Sequence, residues 1–459
     1  MRFSALSRTD NRKTLHTYKH RRGGEGTRSR HSPRQTGKPP LSVVDKISPP
    51  GWMSEPDTTR LFDTLKRAGH SVRFVGGCVR DSIANRPVSD IDLATDADPD
   101  KVLEVLGEAM IRAVPTGIQH GTITAIPDTR PFEITTLRKD VETDGRHASV
   151  EFTKDWVEDA SRRDFTFNAI SADPDGTVYD YFDGLRDLKA GRVRFIGDAM
   201  ERVVEDYLRV LRFFRFHAHY AKTEPDPQAL AACRAGAPNV EALPGERIWA
   251  ELSRTLIAPK PGPVFELMED IGMLRLLLPE GCSVKRMEAL TALETMVSFA
   301  PDQIRRLTAL IQPNRSEASQ IATRLRLSRD ETHRLDDLIA SRGVSSAGMK
   351  ELALRRMLYA LGPEKSRDLI LLDWADQIEM NSTEAAQSVQ GWMDTWDTVS
   401  SGKLPEFPLV GTDVMKMGVA EGPKVGEILE EIEEWWVERA FRPDREACLD
   451  RLRLAARRS

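Results

Sequence analysis

The 459-residue sequence predicts an α+β protein, with a mixed-sheet head followed by an all-α half. Two patterns carry this expectation. Between Trp52 and about residue 175 short apolar runs alternate with helical stripes, and beyond about residue 198 apolar residues recur at helical spacing almost throughout. Composition is the third observation: 40% apolar and 30% charged residues, with 30 Gly and 27 Pro, exclude collagen-like and wholly disordered chains. The longest apolar stretch, around Met273 to Leu278, is interrupted by Arg275 and falls well short of the roughly 20 residues a membrane span needs. The four cysteines are widely spaced and form no C-x-x-C pair, which argues against a zinc ribbon or disulfide framework and for a reducing cytoplasm.

Taken in order, the chain first presents a basic segment. Residues 1–48 hold twelve Lys/Arg and three acids, a charge of +9, which leaves −14 on the remainder of a chain whose total is −5. With no periodic apolar face, residues 1–51 are expected to be a disordered basic tail. It is a solvated tail or a stretch upstream of a later start at Met53, and resembles a transit peptide only superficially. Leu61, Phe62, Leu65 and Ala68 then form a helical stripe over Thr58 to Ala68, closed by Gly69. Val72 to Val75 is a buried strand, Cys78 to Ala84 a helix, Asp90 to Ala94 a strand and Pro99 to Ala109 a helix. Thr122 to Ile126 and Phe132 to Leu137 are extended runs joined by turn chemistry at Pro127 to Pro131. Helices follow at Arg202 to His217, Arg247 to Ile257, Val264 to Leu278, Ala318 to Leu325 and Val425 to Glu438. The expected division is a head over 52–175, a neck over 176–242, a helical body over 243–350 and a helical tail over 351–459. No fixed-period repeat suggests a solenoid.

The chemistry concentrates in Gly76-Gly77-Cys78-Val79-Arg80-Asp81 and in Ser89-Asp90-Ile91-Asp92. Residues two apart on a strand share a face, so Asp90 and Asp92 can aim two hard carboxylates at one Mg²⁺. Gly76 and Gly77 free backbone amides at a helix start to approach an anion, and a metal-bound triphosphate fits between the two groups.

The run GGCVRD, SDIDLAT, FEITTLR, RRDFTFNAI and EDYLRVLRFFRF, in that order over roughly Trp52 to Leu256, resembles the class II tRNA nucleotidyltransferases and bacterial poly(A) polymerases of the polymerase β superfamily. A weaker likeness continues at Phe407 to Asp413 and Gly418 to Gly426, where Val414 replaces the usual Leu. The resemblance implies a nucleotidyltransferase head with an all-α neck, body and tail. It implies that Asp90 and Asp92 hold two Mg²⁺ ions, with Glu133 as a third carboxylate, and that the primer 3′-hydroxyl attacks the α-phosphate in line. It gives Gly76, Gly77 and Arg80 to phosphates, although an ion pair of Arg80 with Asp81 or Asp90 is an equally physical use. It gives Arg162, Arg163 and Asp164 to ribose and triphosphate, without saying which Arg does which; a helix cap is the plain alternative for Asp164.

Asp206 and Arg209, i and i+3 on an expected helix, share a face. A carboxylate accepting an amino proton beside a guanidinium donating to a ring nitrogen complements cytosine and adenine alike. Uracil and guanine present the reverse pattern, and such a site would reject them by factors of about 10⁴ or more; a plain i, i+3 salt bridge is the alternative use of the pair. Arg212 and Arg215 continue the spacing, as holders of this helix, as primer contacts or as a solvated stripe. Arg146 and His147 fall in what resembles the family's flexible loop. No Walker loop, serine elbow, zinc spacing or H…H-D…D set competes. The implied activity is addition of C and A to tRNA 3′ ends in the cytoplasm from CTP and ATP with Mg²⁺, involving neither DNA nor membrane. A poly(A) polymerase, a C-only or A-only enzyme, and a non-catalytic RNA-binding protein with a degenerate head are the rivals.

Overall fold

The computed structural model describes residues 43–128, 130–143, 148–311, 315–402 and 405–458. The expected disordered tail lies outside the described residues up to position 42, as does the Asp144 to His147 loop. From position 43 the expectation is corrected. Val43–Lys46 forms strand β1, antiparallel to Thr177–Tyr179, and a 3-10 turn at Gly51–Ser54 buries Met53. Four residues are too few for a two-residue period to register, and an edge strand is fixed mainly by its single neighbour.

The other strands are β2 (Val72–Val75), β3 (Asp92–Thr95), β4 (Arg112–Gly117), β5 (Thr122–Ile126), β6 (Phe132–Thr136), β7 (Arg138–Thr143), β8 (Ala148–Phe152), β9 (Ser171–Ala172) and β10 (Thr177–Tyr179). Eight of them form one sheet in the order β1-β10-β9-β2-β3-β6-β5-β4, while β7 and β8 form a separate hairpin. The head sheet therefore runs past residue 175, through β10. Among the described pairings β3 with β6 is parallel and the rest are antiparallel. Pro115 is tolerated in β4 because that strand is an edge.

Helices α1 (Pro56–Arg67), α2 (Gly77–Ile83) and α3 (Pro99–Glu108) accompany the sheet. The stripe Leu61, Phe62, Leu65 of α1 and Val102, Val105, Leu106 of α3 is buried in one core with Phe74, Leu93, Ile123 and Phe132. Strand β3 begins at Asp92, so Asp90 precedes the strand instead of lying within it.

Beyond the sheet come α4 (Trp156–Ser161), α5 (Gly184–Ala190), α6 (Ala199–Glu205), α7 (Leu208–Tyr220), α8 (Pro227–Gly236) and α9 (Gly245–Leu256). The continuous helix expected over Arg202 to His217 is thus two helices. Asp206 has extended backbone (φ −155°, ψ 108°), and its carboxylate accepts from the Leu208 amide, 3.0 Å away. An aspartate satisfying its own downstream amide favours a helix start over a helix interior. Val264 to Leu278 likewise divides into Gly262–Asp270 and Met273–Leu277, because Gly272 takes φ +78° between them.

Aromatic packing joins head to neck. Phe165 lies 4.7 Å from Phe195 and 5.3 Å from Phe216 between ring centroids, with Phe167 and Phe213 completing the cluster. The main core continues through the body to Val399 and takes in Leu369 to Leu372 and Trp374 of the helix Glu351–Met380, which kinks at Gly362. A separate C-terminal core starts at Leu409 and gathers Ile428, Ile432, Trp436 and Leu452. Much of the segment assigned to the tail from residue 351 therefore packs with the body. Inside the body Glu294 receives both Arg305 (2.6 Å) and Arg306 (2.7 Å).

Two outcomes follow. A chain beginning at residue 49 should melt about 2–4 °C below one beginning at residue 43 in a thermal scan, because it loses β1, the Ile47 amide bond to the Gly176 carbonyl and the Asp45–Lys189 pair. His217 on α7 is pushed down to about 4 by burial. Its folded pKa lies below the unfolded value of about 6.5, so the unfolded chain binds the extra proton and stability is lost as pH falls from 6.5 towards 4, by up to about 3 kcal/mol. His217→Phe should flatten that limb in denaturant titrations over this pH range.

Candidate functional site

The sequence places Gly76 where only glycine serves, while Gly77 opens α2 with ordinary space for a Cβ. Gly76 has φ +70°, and a Cβ there would lie 3.3 Å from Arg163 Nη1 and 3.9 Å from Asp92 Oδ2. The turn from β2 into α2 thus passes directly against the carboxylate and the guanidinium of two other motifs.

Parallel pairing puts Asp92 of β3 opposite Glu133 of β6, and partners in register share a face of the sheet. Burial raises the Asp92 carboxyl above its usual range; Glu133 and Asp90 add to this while Arg163 opposes it. Asp90 is exposed and accepts from Ser89 Oγ at 2.9 Å, and Glu133 is exposed on its strand. Three carboxylates with so little compensation suit a divalent cation. Among the described residues no three His, Cys, Asp or Glu side chains close into a cage.

Beside Asp92 opens a cavity of about 670 Å³, lined among the described residues by nine arginines and three aspartates. Gly76, Gly77, Arg80, Asp92, Arg162, Arg163, Asp164, Asp206 and Arg209 all meet there; Asp90 and Glu133 do not line it. Of the alternatives left open for Arg80, the pair with Asp81 forms: Nε and Nη2 donate to its two oxygens at 3.0 and 2.8 Å, and Nη1 donates to Asn168 Oδ1 at 2.8 Å. Arg162 and Arg163 both turn to Asp159, at 2.8 and 3.2 Å. Arg138 stands beside them, its guanidinium pushed down to about 10 by burial and by Arg162. Three guanidiniums around one carboxylate leave positive charge for an anion to satisfy.

Asp164 is not the helix cap that was the plain alternative. Its Oδ1 accepts from the Phe165 amide (2.8 Å) and Asn168 Nδ2 (2.9 Å), and its Oδ2 from Arg212 Nε (2.7 Å). Burial works to raise this carboxyl, but Arg212 and these donors outweigh it and hold it below the usual range. Arg212 therefore anchors α7, and Arg215 does the same through Glu251 at 2.5 Å, so neither is a solvated stripe.

Asp206 and Arg209 share the cavity but, because α6 and α7 are separate, Asp206 sits in the break and not on a continuous helical face. Each has another partner: Arg209 meets Glu205 at 2.5 Å and Asp206 meets Arg247 at 2.8 Å. Sequence reasoning missed Arg138, Asp159, Asn168, Arg247 and Arg254. Asn168 stood in the RRDFTFNAI run, and Arg247 and Arg254, seven apart on α9, were legible as one helical face.

Family models for the poly(A) polymerase head domain match residues 72–194, and for the probable RNA- and SrmB-binding site of polymerase A residues 224–284. The mitochondrial CCA tRNA nucleotidyltransferase 1 of Danio rerio is 34% identical over 406 residues, 85% of this chain and 89% of that protein. A CCA-adding enzyme of Streptococcus sanguinis is 29% identical, covering 84% and 94%. Among solved structures, the Bacillus stearothermophilus CCA-adding enzyme in complex with CTP superposes with a TM-score of 0.62 at 23% identity, over 88% of this chain and 98% of that one. The Thermotoga maritima CCA-adding enzyme complexed with tRNA gives 0.56 at 20% identity, over 89% and 96%. With a relative above 30% identity over most of both chains, and with the family's motifs converging on one cavity, this chain belongs to the CCA-adding tRNA nucleotidyltransferase family.

Proposed function

We propose that this enzyme transfers CMP and AMP from CTP and ATP to the 3′ end of tRNA, building the CCA terminus without a nucleic-acid template. The observation that carries the reading is a single cavity that brings Asp92, nine arginines, and Asp206 with Arg209 together. Its relatives are named for CCA addition, and it shares its fold with solved CCA-adding enzymes, one in complex with CTP, one with ATP and one with tRNA.

In this reading Asp90, Asp92 and Glu133 hold Mg²⁺. The ion, when bound, neutralises triphosphate charge and lowers the pKa of the attacking 3′-hydroxyl. Gly76 and Gly77 let backbone approach the phosphates, and Arg80, Arg162 and Arg163 grip them with forks pre-set by Asp81 and Asp159. Asp164 steadies the ribose end through its bonds to Asn168 and Arg212. Asp206 accepts the amino group and Arg209 donates to the ring nitrogen shared in pattern by cytosine and adenine. We assign the enzyme to the cytoplasm on its four unpaired cysteines, although vertebrate relatives are named mitochondrial. The match to poly(A) polymerase models favours polyadenylation as the second reading.

Replacing Asp90 or Asp92 with Ala should cut nucleotide addition by on the order of 10³ or more, while tRNA affinity stays within about tenfold, since phosphate contacts are untouched. Near-normal Mg²⁺-dependent turnover of either variant would remove the metal assignment. Given CTP and ATP, the purified enzyme should extend a tRNA lacking its terminus by C, C and A and then stop, leaving an unstructured RNA nearly unextended. A long A-ladder would make polyadenylation the activity, and addition of one nucleotide alone would make it a split-activity enzyme.

A further inference from the structure

Arg80 and Asp81 are neighbours on α2, and side chains one residue apart on a helix point about 100° away from each other. Their two-pronged pair is therefore no default of the helix. A third group draws it together. Tyr220, the last residue of α7, donates its hydroxyl to Asp81 Oδ1, the same oxygen that accepts from Arg80 Nε at 3.0 Å. The Tyr220 ring also faces two guanidiniums, 4.8 Å from that of Arg80 and 4.2 Å from that of Arg86. Burial holds the Tyr220 hydroxyl above its usual range, so at neutral pH it is a donor.

These contacts close a loop. Arg80 Nη1 donates to Asn168, Asn168 donates to Asp164, and Asp164 accepts from Arg212, which stands on the same helix as Tyr220. One helix thus grips the Arg80 guanidinium from two points about 12 Å apart along its axis. Nε, Nη1 and Nη2 each commit one N–H to this loop, which leaves two of the five donors for the cavity that Arg80 lines. Nη2 lies beside the glycine turn, 3.7 Å from where a Cβ on Gly77 would stand.

We propose that Tyr220 is a positioning residue for the triphosphate: through Asp81 it sets the Arg80 fork toward the phosphates, tying that grip to the helix whose other end carries Arg209. The inference rests on the reading of Arg80 as a phosphate contact. A carboxylate bonded to Arg80 alone can swing with it. A second donor on the same oxygen fixes the carboxylate, and the guanidinium with it. Tyr220 itself does not line the cavity, so it acts through Asp81 and not on the substrate.

The test uses the purified enzyme, with pyrophosphate, the leaving group of each addition, as the probe of the phosphate grip. Inhibition by pyrophosphate, with kcat and KM for CTP, ATP, UTP and tRNA, is measured for Tyr220→Phe, Asp81→Asn, their double variant and Arg80→Ala. Each protein is assayed well below its own melting temperature, so unfolding does not enter the comparison. Tyr220→Phe keeps the ring and both guanidinium contacts and removes only the hydroxyl. It should weaken pyrophosphate inhibition and raise KM for CTP and ATP by a common factor of about ten. The CTP-over-UTP ratio of kcat/KM and the KM for tRNA should stay at their wild-type values. The double variant should be no weaker than Asp81→Asn alone, because Tyr220 works only through that carboxylate. Wild-type pyrophosphate inhibition in Tyr220→Phe overturns the positioning role. So does a double-variant loss equal to the product of the single losses, or a loss of tRNA affinity as large as that for pyrophosphate, which marks a merely structural hydroxyl. Arg80→Ala separates the two ideas: weakened inhibition there with wild-type inhibition in Tyr220→Phe removes only the role of Tyr220. Wild-type inhibition in Arg80→Ala removes the phosphate assignment of Arg80, and the positioning role with it.

Discussion

The buried contact between Arg212 and Asp164 is the point on which the site depends. Arg212 Nε lies 2.7 Å from Asp164 Oδ2, tying α7 to the segment that follows α4, and Nη1 reaches Glu251 of α9 at 3.5 Å. The same aspartate binds Asn168, whose side-chain oxygen accepts from Arg80 of α2. A chain of polar contacts therefore runs along the cavity from Arg80 of α2 through Asn168 and Asp164 to Arg212 of α7. Deleting Arg212 would leave the buried Asp164 carboxylate without its counter-charge, at a cost of about 3–5 kcal/mol. The contact consequently fixes α7 against the segment that follows α4 as well as stabilising the fold around it.

That anchoring makes a concentrated positive cavity tolerable in a chain whose remainder is acidic. Most of its arginines are held by carboxylates: Arg80 by Asp81, Arg162 and Arg163 by Asp159, Arg209 by Glu205, Arg215 by Glu251 and Arg247 by Asp206. Arginine suits this use better than lysine. Arg138, pushed down to about 10 in its crowded and buried setting, remains protonated at neutral pH, and the planar fork can be held by one partner while other donors face the cavity. RNA and triphosphate thus meet local positive charge that overall composition conceals.

The head was legible where periodicity and glycine chemistry coincide. Val72–Val75, Thr122–Ile126 and the Gly76-Gly77 turn lie where alternation and turn residues put them. The break at Asp206 was not legible, because the apolar spacing continues through it and an aspartate gives the same one-letter signal inside a helix as at its start. Strand β1 was hidden by the basic composition around it, and β10 by its length of three residues. Among cavity residues the motifs exposed Gly76, Gly77, Arg80, Asp92, Arg162, Arg163, Asp164, Asp206 and Arg209. The groups that hold them, Asp159, Asn168 and Arg247, act across 4, 4 to 88 and 41 residues of sequence, and only the shorter of these separations leaves a pattern in one window.

A protein that selects nucleotides without a template must replace the geometry of a base pair with side chains that keep theirs. Base pairing owes its discrimination to donors and acceptors fixed on rigid rings, whereas Asp and Arg rotate. The break between α6 and α7 supplies part of the missing rigidity, since the Asp206 carboxylate is committed at one oxygen to the backbone of α7. Ion pairs from α6 and α9 supply more by constraining Arg209 and the second oxygen of Asp206. Under the proposed roles of Asp206 and Arg209, one fixed acceptor beside one fixed donor suffices for both CTP and ATP, because the two bases present the same amino-and-ring-nitrogen edge. On that proposal the order of C and A in the product is set by how the growing 3′ end and the space around this pair change with each addition, since the pair itself does not distinguish C from A.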